Sequence, residues 1–217
     1  MSCCRWNSVG ESTAEESLRV HALDPAGPSI TFEDPARAYQ SVFSLLLRTL
    51  GRQELRYFSE ANWGKLYRAA LFDGIRFPEG RFAQDVAVAM DLYAKMTRVA
   101  SCADALYFWV QHPRSVSHRV EATRYFHDIV RAHGRSFDRA LAAGITPARA
   151  YGGLMTITLE RSSVQTAEDA ELYRGDVEFV RARVSQLTIR QRAKCRLLHW
   201  IRRREVQVYR ATVHRRR

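Results

Sequence analysis

Alternating apolar and polar positions predict several short strands, two of which are well marked. Residues 2–9 and the run ALYFWV at 105–110 are rich in strand-forming side chains. Shorter extended segments are expected at 66–67, 75–77 and 98–100. Between the first two of these, a helical turn at 68–72 is expected to stop at Gly74.

Helical periodicity covers most of the remaining chain. A helix at 34–50 is predicted because Asp34 can cap it, Pro35 suits its first position and Gly51 follows its end. The segment Thr166-Ala167-Glu168-Asp169 resembles a capping box that opens a helix reaching Leu187. Further helices are predicted at 54–61, from about residue 83 to 96, at 120–133, at 135–143, from 146 to a weak point at 152–153, and at 189–209.

The helix that starts near Ala83 carries a carboxylate in an unusual place. Asp85 heads a stripe whose next members, Ala89, Leu92 and Met96, are apolar. Aspartate is common in first turns because it stabilises a helix start, and that is the plain structural explanation. A carboxylate kept ionised by the helix dipole against an apolar wall also suits a general base.

Two other segments concentrate polar chemistry. Residues 63–67 offer an aromatic face, a bare backbone, a cation and a phenol, although a packed tryptophan with a lysine stem along the surface would look the same. Residues 111–119 hold two histidines, two arginines and two serines. Such a segment is typical of a solvated loop and equally of an anion-binding loop.

Three linked blocks carry a family resemblance. They are W-G-K-L-Y-R-x-x-L-F, I-R-F-P-E-G-R-F-x-Q-D and L-Y-F-W-V-Q-H-P-R-S-V-S-H, in that order between residues 60 and 118. In order and spacing they resemble the second half of bacterial family-2 glycosyltransferases, most closely those that build capsular or exopolysaccharide chains. The resemblance implies a GT-A-type domain that moves a sugar from a nucleotide-sugar to a hydroxyl of a lipid-linked or polysaccharide acceptor.

The resemblance also assigns roles to residues. Asp85 falls where the family has its catalytic base, although the family usually has Glu-Asp where this chain has Gln84-Asp85. The residues implied near the acceptor are Trp63, Gly64, Lys65, Tyr67 and Gln84. Those implied near the donor diphosphate are Gln111, Arg114 and His118.

The donor half of such an enzyme is not recognisable in this sequence. The family holds Mg or Mn with an Asp-x-Asp, whereas no two aspartates here stand two apart. No metal site and no cofactor are therefore expected in this chain, and a separate donor-half polypeptide would be a partner. A truncated reading frame, a wrongly chosen start, a split gene and a decayed copy all remain open.

Composition adds constraints on compartment and partners. The chain is 46% hydrophobic and 26% charged, which are globular values. Its four cysteines have no metal-binding spacing, so reduced thiols in the cytosol are expected. Of the 34 Lys and Arg residues, 13 lie in 181–217 with one acidic residue, so the body is close to neutral and the formal +11 belongs to the tail. A basic amphipathic helix with a tryptophan is typical of binding to an anionic membrane surface.

These observations predict an α+β chain: a partial GT-A-like mixed sheet with flanking helices and a helical C-terminal extension. We expect an acceptor-side part at 1–118, a helical extension at 119–188 and a basic amphipathic tail at 189–217. The expected location is the cytoplasm, peripheral at the inner face of the plasma membrane. Two alternatives stay open, namely a non-catalytic membrane-associated partner of a transferase, and nucleic-acid binding through the arginine-rich tail.

Overall fold

Four strands form one mixed sheet in the computed structural model, which describes residues 1–10, 28–41, 60–111 and 122–214 together with Glu15, Glu16 and Arg19. They are β1 (Ser2–Gly10), β2 (Ser29–Phe32), β3 (Lys65–Leu66) and β4 (Val99–Gln111). The spatial order is β2-β4-β1-β3. The central strands β1 and β4 are parallel, whereas β2 pairs antiparallel with β4 and β3 antiparallel with β1.

β4 is longer than its sequence pattern suggests. Two short strands were expected at 98–100 and 105–110, but one strand of 13 residues runs through both. The polar stretch between them stays extended because Ser101 pairs with Ile30 on one side and with Cys3 on the other. Shifts in the register of β1 between Cys3 and Trp6 absorb the irregularity.

Helices supply the rest of the described fold. A 3₁₀ turn at Ala69–Phe72 confirms the predicted helical turn. The α-helices are α1 (Pro35–Ser41), α2 (Gln84–Ala94), α3 (Thr123–Ala142), α4 (Ala148–Leu154), α5 (Ile157–Ser163), α6 (Ala167–Ser185) and α7 (Ile189–His214). A mixed sheet flanked by helices confirms the predicted α+β class.

The predicted helix starts are confirmed by their hydrogen bonds. The backbone N–H of Arg37 donates to Asp34 Oδ1 at 3.0 Å at the start of α1. At the start of α6, the Asp169 N–H donates to Thr166 Oγ1 at 3.1 Å while Asp169 Oδ2 accepts from the Thr166 N–H at 3.0 Å. This is the reciprocal capping box that the sequence predicts.

The structure joins two predicted helical segments and contradicts one predicted strand. The helical segments expected at 120–133 and, continuing after Gly134, at 135–143 form the single helix α3, which passes through Gly134 without interruption. That glycine serves packing, because a Cβ there would lie 2.3 Å from the ring of Phe179 on α6. Residues 75–77 lie in the described part of the chain and do not form the expected strand. Their backbone is irregular, and the side chain of Ile75 is buried.

Two apolar clusters hold these elements together. The first lies between the sheet, α1 and α2, and the second lies among α3, α4, α6 and α7. Buried members of the first include Tyr39, Val88, Met90, Leu92 and Val99. Buried members of the second include Val130, Phe137, Tyr151, Leu154 and Cys195.

Several predictions fall on residues outside the described part of the chain. These are the continuation of the first helix over 42–50, the helix at 54–61 except its last two residues, and the polar loop at 112–119. Within the described residues, no helix combines the length and the apolarity needed to cross a membrane.

Candidate functional site

The turn before β3 is fixed to the first strand. Gly64 has a φ of +66°, a conformation that side-chain-bearing residues rarely adopt, and its carbonyl accepts from the Cys4 N–H at 3.0 Å. The Cys4 Sγ donates to the same carbonyl at 3.3 Å. Trp63, Lys65 and Tyr67, predicted as acceptor-binding residues, are therefore held in a defined order along one edge of the sheet.

An aromatic cluster forms around Trp63. Its ring stacks on Tyr107 at a centroid distance of 4.9 Å and on Trp109 at 5.7 Å, and Trp6 meets it edge-on at 4.9 Å. All four rings are half-buried. Because Tyr107 and Trp109 are two positions apart in β4, their rings project from the same side of the sheet. The cluster is a partly exposed aromatic surface of the kind on which sugar rings can stack.

Asp85 lies in the first turn of α2, as predicted. Its Oδ1 accepts from the N–H of Val86 at 2.8 Å, and the residue is half-buried. The next members of its stripe, Ala89, Leu92 and Met96, are all buried, which confirms the apolar wall. Immediately before the helix, Ala83 has a φ of 54°, a strained conformation for a residue with a Cβ.

Electrostatic interactions link Lys65, Tyr67 and Asp85. Burial lowers the pKa of Lys65 to about 8, and Asp85 is among the charges that oppose this shift. Burial raises the pKa of Tyr67 well above its ordinary value, with smaller contributions from Cys3 and Asp85. Asp85 therefore lies within electrostatic range of Lys65 and Tyr67, although it stands up to twenty positions from them in the sequence. Gln84, by contrast, is exposed at the helix start.

Hydrogen bonds orient the lysine and the phenol. Lys65 Nζ donates to the Tyr93 hydroxyl at 3.3 Å and lies 5.8 Å from the centre of that ring. Tyr67 donates its O–H to Asn62 Oδ1 at 3.4 Å. Tyr93 belongs to α2, so the first of these bonds joins Lys65 to the helix that carries Asp85.

A buried ion pair supports this arrangement from behind. Arg149 on α4 meets Glu60 at 2.6 Å between Nη1 and Oε1, and its Nε donates to the Tyr39 carbonyl at 2.7 Å. The guanidinium lies 4.7 Å from the centre of the Tyr39 ring, which stacks at 4.5 Å on Tyr93. Burial alone raises the pKa of Glu60, but Arg149 outweighs it and brings the value to about 2. The pair is therefore ionised at neutral pH.

The pair of Arg149 and Glu60 was not predicted from the sequence. A signal existed, since Arg149 is the one charged residue between 145 and 159, in a segment otherwise typical of a buried helix. A buried arginine calls for a carboxylate partner. Its partner Glu60 could not be identified from the sequence, because the two lie 89 positions apart.

A second cluster, of metal-ligating types, lies among the helices of the C-terminal part. His127, Glu160 and Asp176 each offer one ligand atom, and these atoms all lie within 4.8 Å of one another. Burial raises the pKa of Glu160, and the neighbouring Asp176 raises it further. The three residues could hold a metal ion, and none of them was singled out from the sequence.

The predicted donor-side residues are not placed. β4 ends at Gln111. The side chain of Gln111 and the whole of Arg114 and His118 lie outside the part of the chain that the structure describes. The Asp-x-Asp that would hold the family's metal is not in the sequence, so the donor-side metal does not fit the residues present. A scan against protein-family models finds no match for this chain, a search of curated proteins finds none, and a search of solved structures finds none.

Proposed function

We propose that this chain is the acceptor-side part of a GT-A-type, family-2-like glycosyltransferase that acts on lipid-linked or polysaccharide acceptors. The observation that carries the proposal is the hydrogen bond from Lys65 to Tyr93 on α2, the helix that also carries Asp85 directly after its strained start. Asp85 lies in the electrostatic environment of Lys65 and Tyr67, and Trp63, two residues before Lys65, belongs to the half-buried aromatic cluster. Backbone strain of this kind clusters at functional sites. The three sequence blocks that resemble the family supply the reaction class.

In this proposal Asp85 is the catalytic base. It takes the proton of the acceptor hydroxyl as that oxygen attacks the anomeric carbon of the donor sugar. The new glycosidic bond forms as the bond to the nucleotide diphosphate breaks, and the configuration inverts. Lys65 and Tyr67 hydrogen-bond the acceptor hydroxyls, and Trp63 with its neighbouring rings packs on a sugar face. Arg114 opposes the charge of the departing diphosphate.

The long C-terminal helix α7 supports a peripheral membrane location. Leu197 and Trp200 are 57% and 56% exposed, although Cys195 and Leu198 on the same helix are buried in the second apolar cluster. Arg204 lies 5.7 Å from the centre of the Trp200 ring. Exposed apolar and aromatic side chains beside arginines suit an anionic lipid surface, to which each engaged cation contributes about 1 kcal/mol. Such a location would bring Asp85 to a lipid-linked acceptor.

A transfer assay tests the proposal. The full chain is incubated with nucleotide-sugars and lipid-linked acceptors, alone and with any polypeptide encoded next to it that contains an Asp-x-Asp half. Product is detected by mass spectrometry. We expect Asp85→Asn to reduce transfer by about 10²-fold or more, since general-base catalysis contributes 10²- to 10⁴-fold. Asp73→Asn, at an exposed position, is the matched control. Full activity of Asp85→Asn would refute the assignment of the base.

Binding experiments separate the alternatives. If acceptor glycans change the tryptophan fluorescence of the wild-type chain, Trp63→Ala should reduce that change. If such binding is seen but no mixture transfers sugar, the chain is a non-catalytic partner and not an enzyme. If it binds neither glycan nor anionic vesicles but binds nucleic acid with steep salt dependence, the arginine-rich tail is the functional part. We expect Trp200→Ala to weaken vesicle binding and to leave glycan binding unchanged.

A further inference from the structure

Three helices bring a histidine and two carboxylates to one buried point. His127 projects from α3, Glu160 from α5 and Asp176 from α6. His127 Nδ1 lies 2.6 Å from Asp176 Oδ2, and Glu160 contributes an oxygen within the same 4.8 Å group. Because the three residues belong to different helices, the group depends on the tertiary structure and not on a local sequence motif.

Glu160 is the unexplained member of this group. The residue is fully buried at 0% exposure, and no N–H or hydroxyl donor among the described residues reaches its carboxylate oxygens. Among these residues, the group that faces it at hydrogen-bonding range is the carboxyl of Asp176, which can bond to it only if a proton lies between the two. Asp176 is also at 0% exposure, but it is compensated by Arg131, whose Nη2 lies 2.7 Å from Asp176 Oδ1. Two carboxylates therefore share one arginine. A buried carboxylate without a partner costs several kcal/mol unless a proton or a cation compensates it.

We propose that His127, Glu160 and Asp176 bind a divalent first-row transition metal ion of the Zn²⁺ type. One imidazole nitrogen and two carboxylate oxygens are a ligand set that suits such ions, whereas Ca²⁺ and Mg²⁺ prefer oxygen ligands alone. The ion takes the place of a proton between Glu160 and Asp176 and supplies the positive charge that the carboxylate of Glu160 lacks. This site is separate from the proposed acceptor site and does not depend on it.

The geometry needs only local adjustment. Bonds of about 2.0–2.2 Å from a tetrahedral ion place its ligand atoms about 3.3 Å apart. The 2.6 Å distance between His127 Nδ1 and Asp176 Oδ2 increases by less than 1 Å as the ion enters. The Glu160 oxygen, which lies within 4.8 Å of the other two ligand atoms, moves closer to them. Arg131 then holds the second oxygen of Asp176, as outer partners of ligating carboxylates commonly do.

An entry route leads to the histidine. The side chain of His127 is 14% exposed and lines a cavity of about 360 Å³ together with Phe82, Asp128 and Arg131. A hydrated ion can reach the imidazole from this cavity before it meets the two fully buried carboxylates. Once bound, the ion ties α3, α5 and α6 together, so it stabilises the helical part of the chain.

Cobalt binding tests the proposal on the full chain. Protein stripped with a chelator is titrated with Co²⁺, whose absorption spectrum reports both coordination number and ligand type, and its thermal midpoint is measured at each concentration. We expect one Co²⁺ per chain, a low-coordinate spectrum without thiolate charge-transfer bands, and a midpoint that rises with Co²⁺. Zn²⁺ should displace Co²⁺, whereas excess Mg²⁺ should not.

Two variants at the site and one control make the test decisive. Glu160→Gln keeps the shape of the side chain and removes its charge, so it should fold and bind Co²⁺ at least about tenfold more weakly. His127→Gln should do the same and serves if the first variant is unstable. Glu171→Gln, exposed on α6, should bind like the wild type. No uptake by the wild type, equal uptake by all variants, or a thiolate spectrum would overturn the site and leave a proton shared by the two carboxyl groups.

Discussion

Replacing Arg149 with methionine tests the buried ion pair behind the candidate acceptor site. The side chains of Arg149 and Glu60 are 11% and 22% exposed, so water screens their interaction weakly. Methionine retains much of the apolar stem of arginine and removes the charge. Glu60 would then stay buried without a partner, and the Tyr39 carbonyl would lose the donor that reaches it at 2.7 Å. We therefore expect a large loss of stability, not a neutral surface effect.

The structure gives the expected size of this loss. The pKa of Glu60 falls from 4.5 to about 2 in the folded protein, although burial acts to raise it. At about 1.36 kcal/mol per pKa unit, this fall corresponds to about 3 kcal/mol of stability at neutral pH. Breaking a buried pair by removing one partner typically costs about 3–5 kcal/mol. The pKa shift and the typical cost of breaking a buried pair both give a loss of about 3 kcal/mol for Arg149→Met.

The same pair has a defined dependence on pH. Because the folded pKa of Glu60 is lower than the unfolded one, the contribution is complete above about pH 5 and is lost as the pH falls toward 2. The difference in unfolding free energy between wild type and Arg149→Met should therefore be largest at neutral pH and shrink on acidification. Comparing the two proteins at each pH cancels the titration of carboxylates that both share.

Urea unfolding followed by circular dichroism measures these free energies. Glu60→Gln and the double variant Glu60→Gln/Arg149→Met complete a double-mutant cycle, in which we expect a coupling of about 2 kcal/mol. Arg181→Met, at an exposed position on α6, controls for the loss of a positive charge. A coupling below about 0.5 kcal/mol, or a loss that does not change between pH 7 and pH 3, would refute the role assigned to the pair.

Three further predictions test local features. Thr166→Ala should cost about 1 kcal/mol in urea unfolding because it removes the capping hydrogen bond to the Asp169 N–H. Gly134→Ala should cost about 1–3 kcal/mol because its Cβ would meet the Phe179 ring at 2.3 Å, and Phe179→Leu in the same chain should recover part of the loss. Since burial lowers the pKa of Lys65 to about 8, acylation of that amine, followed by peptide mass spectrometry, should rise through a midpoint near pH 8 and be absent in Lys65→Arg.

Features set by neighbouring residues in the chain could be predicted from the sequence. Asp34 and Thr166 cap their helices as expected because a cap needs only its own next turn. The stripe below Asp85 is buried as expected because helical periodicity alone places it on one face. These are the cases in which local pattern and tertiary structure agree.

Features set by distant partners could not be predicted in the same way. Ser101 stays in β4 because β1 and β2 pair with it from both edges, and β4 continues to Ala105 across a shift in register. Gly134 stays inside α3 because Phe179 packs against it from another helix. In both cases the residue type favours a break, and tertiary contacts outweigh that preference by filling the space or pairing the backbone.

The candidate site combines both kinds of information. Trp63, Lys65, Tyr67 and Asp85 were identified from residue types and order, and the structure places Lys65 and Tyr67 in the electrostatic environment of Asp85. What holds that environment in place came only from the structure. Tyr93 receives the Lys65 hydrogen bond, and it lies in a stack with Tyr39 that Arg149 covers.

This connection gives the helical extension a role in the proposed chemistry. Arg149 belongs to α4, yet it reaches Glu60 at the beginning of the segment that carries Trp63 and leads into β3 at Lys65. Gln40 makes a similar link, since it donates to Ser136 on α3 at 3.3 Å and accepts from the Ala150 N–H at 3.3 Å. The helices after β4 therefore contact the part of the chain proposed to bind the acceptor through polar contacts with little solvent exposure, which depend more strongly on geometry than apolar packing does. If the proposed acceptor site is correct, a substitution at Arg149 should change the affinity for the acceptor although Arg149 does not touch it.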